Sequence, residues 1–148
     1  MSGHVIAYGN IMSLLDDGLC ELTVVPAYAF RELFRSCTAL YDAENLLLAA
    51  TTGEQRTTYE SMFRGCTNLE KGPTILLNTF GYADARNMFN GCANLNYIKC
   101  LATSGFSGNN IQNWTNGVAA AGTFVKKAGV EWPSGASGIP TGWTVIEV

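Results

Sequence analysis

Apolar residues recur along this chain at a spacing far longer than the period of a helix or a strand. A phenylalanine, a cysteine three positions later and a leucine three positions after that occur together three times. The copies are Phe34/Cys37/Leu40, Phe63/Cys66/Leu69 and Phe89/Cys92/Leu95. Self-similarity at a period of about 20 to 50 residues is typical of stacked repeats, in which each unit buries its apolar face against its neighbours. The pattern therefore predicts a solenoid.

Within each repeat, the apolar positions predict a short helix followed by a short strand. Residues Phe30 to Ser36, and the segment that begins near Thr58, have apolar side chains at helical spacing. The segments that follow, such as Leu40 to Leu48, have an apolar residue at every third position, which fits a short strand bent into a coil of the solenoid. The predicted inward positions are Leu40/Ala43/Leu46, Leu69/Gly72/Ile75 and Leu95/Ile98/Leu101.

The repeats divide the chain into one domain over residues 1–148. We expect an N-terminal cap over 1–29, repeats over 30–56, 57–84 and 85–112, and a degenerate repeat with a C-terminal cap over 113–148. In the N-terminal cap, the pattern predicts a turn at Asp16 to Gly18 and a strand over Cys20 to Val25. Residues Thr51 to Arg56 are expected to form a polar outer connection.

The degenerate repeat can be aligned with the others only loosely. Trp114 is placed where Tyr59 stands, Val118 where Phe63 stands, Ala121 where Cys66 stands and Phe124 where Leu69 stands. Ala121 and Phe124 follow Cys92 and Leu95 of the third repeat at the same spacing at which the second repeat follows the first. Terminal repeats are commonly atypical because they close the end of a stack. We expect Trp114, Trp132 and Trp143 to seal the C-terminal end, and residues 143–148 to form a final strand.

Composition and charge exclude several classes of partner. Charged residues make up 14% of the chain and the net charge is −3. The chain therefore lacks the excess of positive charge with which proteins bind nucleic acid or an anionic membrane. The sequence also has no run of about 18 apolar residues, which argues against membrane insertion. It carries no signal peptide at its N-terminus, although an excised fragment of a longer protein would lack one as well.

The cysteines and the single histidine favour structural roles over catalysis or metal binding. Five cysteines are an odd number, and three of them occupy one repeat position, which favours a ladder of buried thiols over a set of disulfides. Oxidation of one pair among Cys37, Cys66 and Cys92 is the alternative. The single histidine, His4, and the absence of a Cys-x-x-Cys spacing argue against zinc and against a catalytic pair. We therefore predict no enzyme activity, no metal and no cofactor.

The Met-Phe-x-Gly-Cys-x-x-Leu repeat resembles that of the BspA-like leucine-rich repeat proteins of anaerobic gut and oral bacteria. The run from Gly9 to Leu15 before it, and the segments 95–103, 122–126 and 138–145 after it, extend the resemblance over nearly the whole chain. The resemblance implies an α/β fold, a right-handed leucine-rich-repeat solenoid of short strands alternating with short helices and capped at both ends. It also implies a secreted or surface-displayed protein that attaches to host or microbial proteins or glycans. Proteins of this kind are often larger, so this chain looks like a truncated one.

If the inward positions are correct, the residues between them form an outward ribbon of tyrosines, amides and charges. The predicted ligand-binding residues are Tyr41, Asp42, Glu44, Glu70, Lys71, Asn96, Tyr97 and Lys99. Exposed aromatic rings among hydrogen-bonding side chains suit a protein or glycan ligand, whereas an ordinary solvated face is the alternative. We predict a non-catalytic adhesion module located outside the cell or on its surface. A structural or spacer domain of a phage or surface appendage, with weak self-association through the solenoid ends, is the second hypothesis.

Overall fold

A computed structural model describes residues 3–14, 25–48 and 56–148 of the chain. Within these ranges the chain forms a parallel β-sheet of eight strands. The strands are β1 (Val5–Ile6), β2 (Gly9–Asn10), β3 (Leu40–Asp42), β4 (Leu46–Leu48), β5 (Lys71–Ile75), β6 (Tyr97–Cys100), β7 (Thr123–Lys126) and β8 (Thr144–Glu147). A single 3₁₀ turn, Ile11–Leu14, is the only helical element in the described part of the chain.

The strands follow one another across the sheet in nearly sequential order. The main path runs β1, β3, β5, β6, β7 and β8, while β2 pairs with β4, which in turn pairs with β5. All of these pairings are parallel. The sheet therefore grows by adding one strand, or one broken strand, for each repeat of the sequence.

The prediction of an α/β solenoid, with short helices alternating with strands, is wrong. The segments that connect the strands are successions of turns, at residues 27–36, 58–65, 83–91 and 108–117. Positive φ angles recur in them at every fourth residue, as at Glu32/Ser36, Ser61/Gly65, Asn87/Gly91 and Asn113/Gly117. An α-helix of L-residues does not accommodate positive φ angles, so these segments cannot be helices.

Hydrogen bonds between neighbouring turn segments explain why turns form in place of helices. The N–H groups of Ser61 and Phe63 donate to the carbonyls of Arg86 and Met88 in the next segment, at 2.9 and 3.0 Å. Met62, which lies between them, donates to the carbonyl three residues back in its own segment. Half of the donors thus leave the segment, whereas a helix directs nearly all of its donors inward. The helical spacing in the sequence is the four-residue period of these turns.

The unequal repeat spacing is absorbed in the break between β3 and β4. Asp42 of β3 pairs with Lys71, and Leu48 of β4 pairs with Ile75. The partners in the first pair are further apart in the sequence than those in the second, and a turn at residues 44–45 separates the two strands. The extended segment predicted over Leu40 to Leu48 is therefore confirmed as two strands that share one neighbour.

The predicted alignment of the degenerate repeat is wrong in both its strand and its turn segment. The alignment places Phe124 at the position of Leu95, whereas in the sheet Phe124 pairs with Ile98. In the turn segment, the N–H of Phe89 donates to the carbonyl of Trp114 at 2.8 Å, so Trp114 lies beside Phe89 and not in the position of Tyr59. The final strand is confirmed as β8, which pairs with β7.

The core lies between the sheet and the turn segments, where the sequence predicts it. Every predicted inward residue is buried except Leu101, which is partly exposed. The ring of Phe63 stacks between those of Phe34 and Phe89, at centroid distances of 5.3 and 5.6 Å. Trp114 is fully buried and stacks on Trp132 at 5.5 Å. The repeated phenylalanines therefore form a column that continues into a tryptophan cluster.

Some of the predicted features fall outside the described residues. The turn at Asp16 to Gly18 and most of the strand predicted over Cys20 to Val25 lie there, and of that strand only Val25, which is buried, is described. The predicted outer connection lies there too, apart from Arg56.

Candidate functional site

The eight predicted ligand-binding residues, which we call the strand ribbon, lie on β3, β5 and β6, in the turn after β3, and at the positions just before β5 and β6. Sheet pairing places Asp42, Lys71 and Tyr97 side by side in one row. A second row lies next to it, because the N–H of Glu70 donates to the carbonyl of Tyr41, and the N–H of Asn96 to that of Glu70, each at 2.9 Å. Neighbouring strands are separated by about 4.8 Å. The structure thus brings the residues of these two rows together.

Glu44 and Lys71 form the ionic centre of the strand ribbon. The Lys71 Nζ and Glu44 Oε2 atoms are 2.6 Å apart, and both side chains are more than a third exposed. The hydrogen bond and charge of Glu44 raise the pKa of Lys71 above its ordinary value. Asp42 positions Glu44, since its Oδ1 accepts the N–H of Glu44 at 2.8 Å. Exposed ion pairs of this kind contribute little to stability, so the pair mainly fixes the layout of the surface.

The two tyrosines flank this ion pair in different environments. A hydrogen bond to Glu70, followed by the charge of Glu70, raises the pKa of Tyr41. The ring of His4 contacts Tyr41 edge-on, with centroids 5.0 Å apart. Burial, followed by the charge of Glu44, raises the pKa of Tyr97. Both phenols therefore remain neutral near pH 7 and offer ring surfaces together with hydrogen-bonding hydroxyls.

Asn96 and Lys99 lie at the margin of the strand ribbon. Asn96 is exposed, and its Nδ2 donates to the carbonyl of Asn94 at 3.3 Å. Lys99 follows Tyr97 on β6 and pairs with Thr74 and Val125, one row away from the ionic centre. The predicted set is therefore a compact group around the Glu44–Lys71 pair with these two peripheral members.

A depression of about 340 Å³ opens beside His4, whose ring contacts Tyr41, and sequence reasoning did not find it. Its lining residues are Gly3, His4, Thr38, Ala39 and Asn68. They lie just before β1, β3 and β5, and the Nδ2 of Asn68 donates to the carbonyl of Thr38 at 2.8 Å. Residues that directly precede the strands of a parallel sheet lie together at the end of the sheet where the strands begin. Their common position ahead of the strands becomes apparent only once β1 is known to pair with β3.

Two of the three repeated cysteines, Cys66 and Cys92, are buried thiols with raised pKa values. The four described cysteines, Cys37, Cys66, Cys92 and Cys100, are free thiols. The Sγ of Cys92 donates to the carbonyl of Phe63 at 3.0 Å, and Cys66 bonds in the same way to Phe34 at 2.9 Å. Burial raises the pKa of Cys66 to about 11 and that of Cys92 to about 12. Because the thiolate is the nucleophile, these two groups are poorly suited to covalent chemistry.

No group of three or more His, Cys, Asp and Glu residues among 3–14, 25–48 and 56–148 could hold a metal ion. The described part of the chain also contains no helix of the length and apolarity needed to cross a bilayer.

Comparisons of this chain with protein-family models, with curated proteins and with solved structures found no match. The resemblance to BspA-like proteins therefore stays a prediction from sequence motifs.

Proposed function

We propose that this chain is a non-catalytic binding module that recognises a protein or a glycan on the strand ribbon. The observation that carries the proposal is the alignment of Tyr41, Asp42, Glu70, Lys71 and Tyr97 in adjacent rows of a parallel sheet. The hydrogen bonds that Asp42 and Lys71 form with Glu44 hold these two side chains in place before any ligand arrives. A surface that is already ordered loses less entropy on binding.

The chemistry of the strand ribbon supports recognition more than catalysis. Tyrosine rings provide contact area with few rotatable bonds, and the carboxylates, amide and ammonium groups around them provide directional hydrogen bonds. The buried thiols of Cys66 and Cys92 have raised pKa values, which weakens the case for a cysteine nucleophile. The location outside a bacterial cell, or on its surface, rests on the resemblance to BspA-like proteins.

Binding of the purified 148-residue chain to arrays of extracellular-matrix proteins and mucin-type glycans tests this proposal. We expect at least one ligand to be retained by the unaltered chain and lost by a Tyr41→Ala/Tyr97→Ala double variant. Tyr82→Ala is the matched control, because Tyr82 is an exposed tyrosine that directly precedes the turn segment 83–91 and lies outside the ribbon. The proposal fails if the unaltered chain binds no array member, or if the control variant loses binding to the same extent.

A second candidate function, a self-associating structural element, is favoured by a different observation. Both edges of the sheet expose apolar side chains: Val5 and Ile6 of β1 are 46% and 58% exposed, and Val145 and Ile146 of β8 are 43% and 46% exposed. Among the described residues, no strand pairs with the outer side of β1 or β8, and unpaired sheet edges are templates for pairing with another chain. Concentration-dependent association of the purified chain tests this candidate.

A further inference from the structure

The depression beside His4 combines polar and aromatic groups in a small volume. His4, Thr38 and Asn68 line it, and the ring of His4 lies edge-on against Tyr41, whose pKa is raised by the nearby Glu70 carboxylate. Its volume of about 340 Å³ is near the lower end of ligand pockets, which span about 300 to 1,000 Å³. Such a volume suits one small ring better than a peptide segment with several side chains.

The groups around the depression match the surface of a sugar ring. An aromatic face carries partial negative charge and attracts the partially positive C–H groups on the apolar face of a pyranose. A side-chain amide offers both a donor and an acceptor, and a carboxylate accepts from two oxygens. Asn68, which lines the depression, can therefore engage a hydroxyl of the ring, and Glu70 follows it two residues later in the chain. The Asn68 amide is already oriented by its bond to Thr38.

The charges near the depression select against an anionic ligand. Glu70 lies beside Tyr41, and the nearest ribbon cation, Lys71, is paired with Glu44 at 2.6 Å. The whole chain carries a net charge of −3. A carboxylate or sulfate on the sugar would add negative charge near a surface that already carries Glu70, and repulsion between like charges disfavours such a complex.

We infer that this depression binds a neutral pyranose residue of a glycan, with Tyr41 and His4 supplying aromatic contacts and Asn68, Thr38 and Glu70 supplying hydrogen bonds. The inference rests on the proposed binding function and names the ligand class and an anchoring subsite for it. Further sugar residues would extend over Asn96 and Tyr97, since strands are separated by about 4.8 Å, a distance close to the length of one pyranose.

Titration of the isotope-labelled 148-residue chain, followed by backbone and side-chain NMR shifts, tests the inference. The probes are the methyl glycosides of glucose, galactose, mannose and N-acetylglucosamine, the trisaccharides maltotriose and chitotriose, and sialic acid as the anionic comparison. We expect at least one neutral probe to shift the signals of His4, Thr38 and Asn68, with a dissociation constant on the order of 1 mM for a single sugar. The matching trisaccharide should bind more tightly and also shift Tyr97.

Three variants near the depression and one distant control locate the contacts. Asn68→Ala should weaken binding of the neutral probe by about fivefold or more, as expected for a lost hydrogen bond. Tyr41→Ala should weaken it at least as much, whereas Tyr41→Phe keeps the ring and should retain most of the affinity. Tyr82→Ala should leave the affinity unchanged, because that exposed ring lies outside the strand ribbon.

The outcomes separate this inference from the broader binding proposal. If array proteins bind through Tyr41 and Tyr97 while no sugar shifts the depression, the sugar subsite is wrong and the binding function stands. Shifts confined to Lys71 and Lys99, or binding of sialic acid alone, also overturn the subsite. If neither sugars nor array members bind the chain, both proposals fail.

Discussion

The ring of Phe63 stacks between those of Phe34 and Phe89 and has no exposed surface. We predict that Phe63→Ala lowers the free energy of unfolding by about 3 to 5 kcal/mol, because the substitution removes buried apolar area and leaves a cavity in a column of rings. Urea denaturation measures the change. Tyr82→Ala is the control, since its side chain is 59% exposed. Equal stability of the two variants would contradict the central place of the phenylalanine column.

The Asp84 carboxyl is buried beside the phenylalanine column and titrates unusually. It has no exposed surface, and its Oδ1 accepts the N–H of Thr58 at 3.0 Å. Its Oδ2 has no hydrogen-bond partner among the described residues. Burial raises the pKa of Asp84 to about 6. The native state therefore holds this proton at a pH where the unfolded chain has already released it.

This difference makes stability depend on pH in a defined direction. With a folded pKa of about 6 and an unfolded value of about 3.9, the stabilising contribution is complete below the unfolded value and is lost as pH rises through the folded one. The loss amounts to about 3 kcal/mol between roughly pH 4 and pH 7. Asp84→Asn carries a neutral donor in place of the protonated acid and should remove this slope. Urea denaturation of both proteins at several pH values measures it, and parallel pH profiles would refute the prediction.

At the scale of the element, the turn segments predict an order of stability for glycine and alanine variants that is opposite to the order expected in a helix. Asn87 has a φ of 56°, a conformation that costs an L-residue with a Cβ about 1 to 2 kcal/mol and costs glycine little. Asn87→Gly should therefore be more stable than Asn87→Ala. In an α-helix the order would be opposite, with alanine better than glycine by about 1 kcal/mol. Both variants lose the same bond from Asn90, so their difference isolates the backbone.

Position 90 supplies the control for this test. Asn90 lies in the same turn segment but does not have a positive φ, so alanine should be better than glycine there. Thermal or urea unfolding of the four variants gives both differences. The same preference at positions 87 and 90 would mean that the segment is not built from left-handed turns.

In the turn segments, the sequence predicts which side chains are buried but not the conformation of the backbone. Tyr59, Met62, Phe63 and Cys66 share a buried face as predicted, because burial depends on the spacing of apolar residues. The backbone conformation of the same stretch was predicted wrongly. Hydrogen bonds to the neighbouring segment decide it, and the local pattern contains no information on where those donors point.

At the scale of the whole molecule, the register of the sequence repeat predicts which side chains form the candidate site. It does not predict the depression. Tyr41, Lys71 and Tyr97 follow from counting outward positions in each repeat, and the sheet brings them together. Gly3 and Asn68 line one cavity although they are far apart in the sequence. Their proximity depends on β1 pairing with β3, an interaction between a short N-terminal segment and the first repeat that no periodicity predicts.

The two edges of the sheet can continue each other in a second copy of the chain. The N–H groups of Val5 and Ala7 donate inward to Ala39 and Asp42, so the alternation of a parallel strand turns those of His4, Ile6 and Tyr8 outward. At the other edge, Thr144 and Val148 donate inward to Gly122 and Lys126, which turns Val145 and Glu147 outward. Because all strands are parallel, β8 of one copy can extend the sheet beside β1 of the next.

We therefore expect weak head-to-tail association, which light scattering over a range of protein concentrations would detect as a steady rise in mean mass. Ile146→Lys and Ile6→Lys each place a charge on one edge strand and should each abolish the rise. Thr123→Lys, one strand inside β8 on the same face, is the control. An equimolar mixture of the two edge variants should form dimers and nothing larger, because each variant retains one intact edge. Loss of association in Ile146→Lys alone would instead indicate a symmetric pairing of two β8 strands.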